Sequence, residues 1–173
     1  KTKEVVASEK RYRGLFDSIK EGVYQSEPGA EGVFTFINKA GAEILGYSTP
    51  EEAIGIKVKN IYVEPEDRRR LCEKLEKDGV WREFVSLCKR KNGESFYAER
   101  TSSMLRDENG KPVAIFGVFR DISERKKAEE EIAESEKRYR LLFDSLKDGV
   151  YQSEPEMDGS FVWINKAGAE ILG

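Results

Sequence analysis

Residues 81–120 read WREFVSLCKRKNGESFYAERTSSMLRDENGKPVAIFGVFR. Three runs rich in β-branched and aromatic residues, 81–90, 95–106 and 112–120, are separated by Asn92-Gly93 and Asn109-Gly110. Asn-Gly favours the turn whose twist matches a hairpin, so the three runs form an antiparallel meander. Upstream, residues 22–27 (GVYQSE) and 33–38 (VFTFIN) read as a hairpin closed by a turn at 28–32. Helix signals fill the space between hairpin and meander. Asn38 caps residues 39–45, and Gly46 ends that helix. Thr49-Pro50-Glu51-Glu52 is a capping box with proline at the first helical position. Pro65 opens a helix over 66–77, with Leu71 and Leu75 on its buried side and Glu73 paired to Lys77 on its wet side. Two strands, short helices, then three strands make an α+β domain, one antiparallel sheet with its helices on one face.

The chain repeats itself. Residues 7–46 return as residues 134–173; Ser8 maps to Ser135 and Gly46 to Gly173, a constant shift of 127. That period is too long for a solenoid, whose repeats run about 20–50 residues. It implies two copies of a whole domain, the second only about a third complete, as in a cut from a longer array. The expected organisation is an incoming helix at 1–20, a complete domain at 21–120, a connecting helix at 121–146 and a truncated second copy at 147–173. In the connecting helix Ile132, Tyr139 and Leu146 share one heptad position, and Ala128, Ser135 and Leu142 the other. This is a weak, partly polar coiled-coil seam, which predicts a homodimer through the linker helices in preference to an isolated solvated helix. The open sheet edge of the truncated copy would seek a partner strand.

Composition narrows the function classes. The 173 residues carry 30 basic and 33 acidic side chains, a net charge of −3, so no basic face is available to nucleic acid. No apolar run approaches the length of a membrane span. The two cysteines, Cys72 and Cys88, have no framework spacing, which fits a reducing, cytoplasmic setting. Histidine is absent, which argues against His-based triads, HExxH zinc sites and His-ligated haem. With no nucleophile–base pair, metal cluster or phosphate-binding glycine loop, the segment reads as a non-enzyme without a metal.

Several segments match a known family: EGVYQSE, FTFINKAGAEILGYSTPEEAIG, EPEDRRRL, KRKNGESFYAE and LRDENGKPVAIFGVFRDISERKKAEEE, followed by the second start. The chain resembles the PAS domain family, in a tandem array. The most specific match is residues 120–126, RDISERK, which is similar to the family's D-I-T motif, with Ser123 where threonine is usual. The resemblance implies a five-stranded antiparallel sheet of order 2-1-5-4-3, with short helices enclosing a pocket against its inner face. It implies a sensory role, with an output domain in the same chain, often a histidine kinase or a cyclic-nucleotide enzyme. Fold alone does not fix function.

The family pattern points Phe96, Ala98, Arg100, Ser102 and Met104 inward. Arg100 is then the anomaly, because an apolar residue is usual there and a guanidinium stays charged. It is a candidate for holding a small anionic ligand, helped by Tyr24, Ser26 or Ser102. The alternatives are an internal ion pair or a side chain that reaches back to solvent. Phe34, Phe36, Phe84, Ile115 and Phe119 would line the same pocket, with Leu71 and Leu75 from the helix and Cys88 inward by parity; the plainer reading is that they are core. In light-sensing members a flavin-contacting glutamine stands where Phe119 is, and a reactive cysteine lies in an Asn-Cys-Arg-Phe-like helix. Here Ile54-Gly55-Ile56-Lys57 occupies that region, which argues against flavin photochemistry. Thiolate-ligated haem would need Cys72 or Cys88, and both read more simply as small buried side chains. Asp121, Ile122 and Ser123 are the expected transmission point, with Asp121 capping the outgoing helix and fixing its angle. A non-sensing spacer with a filled interior is the competing reading.

Overall fold

The computed structural model describes residues 19–155 and 160–172. The expected helix at 1–20 lies outside the described residues but for its last two. In chain order the elements are β1 (Gly22–Ser26), β2 (Phe34–Ile37), α1 (Lys39–Ile44), α2 (Pro50–Ala53), a 3-10 turn (Val58–Ile61), α3 (Pro65–Asp78), β3 (Val80–Lys89), β4 (Ser95–Arg106) and β5 (Pro112–Asp121). They continue with α4 (Ser123–Ser145), β6 (Tyr151–Ser153), β7 (Phe161–Ile164) and α5 (Lys166–Leu172). The chain divides into two compact units, Lys1–Glu124 and Arg125–Gly173.

In the first unit five strands form one antiparallel sheet of order β2-β1-β5-β4-β3. The Asn-Gly pairs lie in the β3–β4 and β4–β5 loops, and Gly93 and Gly110 take the positive φ that those turns require. β5 sits in the middle, hydrogen-bonded to β1 on one side and β4 on the other. Helices cover one face. α3 places Leu71, Cys72 and Leu75 in the core and ends at Gly79 in the left-handed conformation.

Some local expectations change. Thr49 precedes α2 but makes no side-chain capping bond, so the capping box is present in sequence and not in hydrogen bonds. Glu73 pairs with Arg69 at 2.9 Å, one turn back, where the sequence paired it with Lys77. Asp121 ends β5, two residues before the helix it was expected to cap directly, and Leu146 lies one residue beyond that helix.

The sheet starts from one asparagine. The Asn38 side chain accepts hydrogen bonds from Val23 N at 2.9 Å and Gly41 N at 2.8 Å, and donates to Glu21 O at 3.0 Å. It thereby caps α1 and fastens it to β1. The second unit repeats this arrangement at the shift of 127. Asn165 accepts from Val150 N and Gly168 N, each at 2.9 Å, and donates to Asp148 O at 2.9 Å. The strand register repeats too. Tyr24↔Ile37, Gln25↔Phe36 and Ser26↔Phe34 become Tyr151↔Ile164, Gln152↔Trp163 and Ser153↔Phe161. Even the ring contact recurs, Tyr24 with Phe34 and Tyr151 with Phe161, both edge to face. The described residues of the two copies therefore form the same hairpin–helix unit. What differs is cover: Tyr24 is 2% exposed and Tyr151 62%.

Asn38→Ala would strand two backbone N–H groups and a carbonyl in a buried corner. It should destabilise the first unit by about 2–3 kcal/mol in urea unfolding. A loss below about 0.5 kcal/mol would show that the asparagine does not organise the hairpin.

Candidate functional site

The inner face of the sheet is built by strand alternation. Along β4, Phe96, Ala98, Arg100, Ser102 and Met104 are buried in strict alternation with less buried neighbours. Facing pairs on neighbouring strands share a side. Phe84 pairs with Arg100, and Ser86 and Cys88 pair with Ala98 and Phe96. On β5, Ile115 pairs with Met104 and Phe119 with Arg100; on β1, Ser26 pairs with Ile115 and Tyr24 with Gly117. Leu71 and Leu75 of α3 join the same buried cluster.

Phe36 is the exception. Thr35 is an extra residue between the Phe34 and Phe36 pairs, a β-bulge that turns Phe36 to the outer face. Ile37 takes the inner position instead. Phe36 borders a surface groove of about 490 Å³ with Thr35, Lys39, Thr49, Pro50 and Ile54. Gly117 sits under the middle of the inner face. A methyl group there would lie 2.7 Å from Tyr24 Cε1 and 2.9 Å from Ser102 Oγ. The glycine leaves room for the Tyr24 Oη–Ser102 Oγ hydrogen bond at 2.8 Å.

The interior is mostly apolar but encloses two guanidiniums. Arg100 is 3% exposed. Its Nη1 donates to Tyr62 Oη, and its Nη2 donates to Ser86 Oγ at 3.1 Å and Cys88 Sγ at 2.9 Å. The guanidinium also lies over the Tyr62 ring, 4.5 Å from its centroid. Burial pushes the Tyr62 phenol well above its ordinary value, so it meets Arg100 as a neutral group. A second guanidinium, not singled out from the sequence, is as deep. Arg68 of α3 is 0% exposed and donates through Nη2 to Ser26 Oγ at 3.2 Å, Glu27 O at 3.1 Å and Gly29 O at 3.2 Å. Nε and Nη1 of Arg68, and Nε of Arg100, are buried without a hydrogen-bond partner. Among the described residues neither arginine pairs with a carboxylate. Arg100 also borders a cleft of about 210 Å³ with Glu21, Glu83 and Glu99. Glu21 and Glu99 pair there with Arg120.

The exit from this face is a compact set of bonds. Asp121 Oδ1 accepts from Ser123 N at 2.8 Å, and Asp121 Oδ2 pairs with Arg90. Arg90 also donates to Ile44 O at the end of α1. Ile122 is buried and its N–H donates to Tyr97 O at 2.9 Å, while Tyr97 N donates to Ser123 Oγ at 2.9 Å. The start of α4 is thus tied to β4 through Tyr97 and to α1 through Arg90. Burial opposes ionisation of Asp121, but the Ser123 N–H and hydroxyl and the Arg90 guanidinium outweigh it and hold the carboxyl below its ordinary value. Arg90 and Tyr97 carried no role in the sequence reading.

The seam residues Ala128, Ile132, Ser135, Tyr139, Leu142 and Leu146 are all exposed. Cys72 and Cys88 are free thiols, both buried, and burial pushes the Cys72 thiol up. Among the described residues no group of three or more His, Cys, Asp or Glu side chains could hold a metal ion. No described helix is long and apolar enough to cross a membrane.

Family models described as PAS domain match residues 29–124 and 137–173. The chain is 28% identical over 132 residues to sporulation kinase C of Bacillus subtilis (strain 168), covering 76% of this chain and 30% of that protein. It is 35% identical over 129 residues to the methyl sulfide methyltransferase-associated sensor of Methanosarcina acetivorans, covering 70% of this chain and 12% of that protein. It spans less than a third of the length of either relative. Among solved structures, the PAS domain of a protein from Colwellia psychrerythraea superposes with a TM-score of 0.57 at 24% identity, covering 66% of this chain and 97% of that one. Sheet order, repeated hairpin and matched segments agree: the chain belongs to the PAS domain family.

Proposed function

We propose that the first unit is a sensory module whose interior receives a small molecule beside Arg100 and whose signal leaves through β5 into α4. The observation that carries this reading is register. Arg100 faces Phe119 across the β4–β5 ladder, and two residues later β5 ends at Asp121. A change around the guanidinium therefore bears on the strand that ends in the helix junction. That junction has two discrete ties, Tyr97 and Arg90, whose exchange would turn a small displacement into a helix movement. Kinship with a kinase and with a protein named a sensor supports an output domain in the same chain, which in this reading is a histidine kinase. The unpaired buried thiols support a reducing, cytoplasmic setting.

Homodimerisation through α4 belongs to the same reading. The helix has 23 residues, about 34 Å of rod, and leaves Ile132 and Leu142 bare on its seam. Light scattering should give a dimer for the chain and a monomer for Leu142→Glu; a monomeric parent chain would remove the coiled coil from the account. The contiguous apolar cluster on the inner face favours a second reading, a spacer that only dimerises. It would give dimers with no response to any small molecule.

Asp121→Asn tests transmission and stability together. In the full-length protein it should fix autophosphorylation at one level regardless of stimulus, and an unchanged stimulus response would defeat the transmission role. Because the folded carboxyl titrates below its ordinary value, its contribution is complete above about pH 5 and is lost as pH falls through the lowered value. The substitution should cost about 1 kcal/mol at pH 7 in urea unfolding, and the cost should shrink progressively as pH falls below about 5. A difference that stays constant from pH 7 down through the acid range would contradict this assignment.

A further inference from the structure

We propose that the β1–β2 turn, residues 27–32, is a gate over one end of the inner face, and that Arg68 of α3 is its latch. The gate rests on the sensory reading and gives the site of that reading an entrance. Through Nη2, Arg68 holds Ser26 Oγ at 3.2 Å, Glu27 O at 3.1 Å and Gly29 O at 3.2 Å, so one buried side chain ties the helix to the end of β1 and to the turn. The helix itself is anchored elsewhere. Leu71 and Leu75 are fully enclosed, Arg106 Nη2 donates to Glu76 O at 2.9 Å, and Met104 N donates to Gly79 O at 2.8 Å. The turn is held more lightly. Glu27 N donates to Val33 O at 2.9 Å, Gly32 N to Gly29 O at 3.4 Å and Val58 N to Gly32 O at 3.0 Å. On its outer side Glu31 pairs with Lys57 and Lys59, where solvent leaves such pairs worth little.

The latch is built to release. Nε and Nη1 of Arg68 are buried without a hydrogen-bond partner, and the three acceptors on Nη2 carry no charge. Closing strips water from a guanidinium and returns only part of its hydrogen bonding. Opening rehydrates it, together with the carbonyls of Glu27 and Gly29, while Leu71 and Leu75 stay in the core. The turn can thus part from α3 as a local opening that leaves the sheet intact. Two buried groups lie under it. Ser26 is 0% exposed and faces Ile115 on β5. Cys72, one turn beyond Arg68 on α3, is 5% exposed, and the Gly29 amide reaches its thiol. Along β5 the inner face then runs from Ile115 over the bare Gly117 to Phe119, which faces Arg100. An opening at Ser26 therefore leads along one strand to the guanidinium of the sensory site.

The two free thiols report on the gate, because Cys72 lies under it and Cys88 lies on β3, 0% exposed. The purified chain is alkylated with iodoacetamide over a series of urea concentrations below the unfolding transition, and each cysteine is followed by peptide mass spectrometry. Cys72 should react faster than Cys88, at a rate nearly independent of urea, because a local opening exposes little surface. Cys88 should react only through global unfolding, with a rate that climbs steeply with urea. Arg68→Met removes all three bonds to the turn and should raise the ratio of Cys72 to Cys88 labelling at least about tenfold. Arg68→Lys keeps the charge but loses the planar fork, and should raise the ratio less. Should Arg68→Met fail to fold, the urea dependence of the parent chain still decides. Equal rates at both cysteines with the same steep urea dependence would overturn the gate. An unchanged ratio in Arg68→Met would overturn Arg68 as its latch. The sensory reading stands or falls separately, on the stimulus response of the Asp121→Asn protein, which involves neither thiol.

Discussion

Two guanidiniums enclosed in one small core set the terms for this fold. A domain of about 100 residues is stabilised by a net 5–15 kcal/mol, and one uncompensated buried charge is a sizeable fraction of that. The apolar part of the interior resembles any well-filled core, with Leu71, Leu75, Phe96 and Ile115 almost fully enclosed. The polar part does not. Hydroxyls cluster around Arg68 and Arg100, and Gly117 is bare so that Tyr24 can reach Ser102.

The central strand connects this interior to the outgoing helix. β5 pairs with both β1 and β4, so it contacts the residues beside both arginines: Ile115 faces Ser26, which Arg68 holds, and Phe119 faces Arg100. Its last residue then enters the junction of Asp121, Arg90, Tyr97 and Ser123. Each tie there is one or two hydrogen bonds. Ser123 in place of threonine keeps the hydroxyl that accepts from Tyr97.

Much of this was legible in the sequence because it is written locally. Asn-Gly pairs declare the meander, alternation along residues 95–106 declares its inner face, and the 127-residue shift declares two copies. The hairpin bulge was not legible, because one extra residue at Thr35 inverts the parity on which the Phe36 assignment rested. The same irregularity occurs at the corresponding place in the second copy, so it follows from these few residues and not from the rest of the sheet. Arg68 was passed over for its type, although it stands three residues before Leu71 and seven before Leu75, on the helix face that turns inward. Arg90 could not be assigned, since its partners Ile44 and Asp121 are brought to it only by the closed sheet.

Hydrogen exchange at the backbone amides of Tyr97, Ile122 and Ser123, compared between the chain and its Arg100→Met variant, tests the link between interior and exit most directly. The substitution should change protection at these three amides as well as around Arg100 and Phe119. Changes confined to the inner face, with the junction amides exchanging at the same rate in both proteins, would contradict the account.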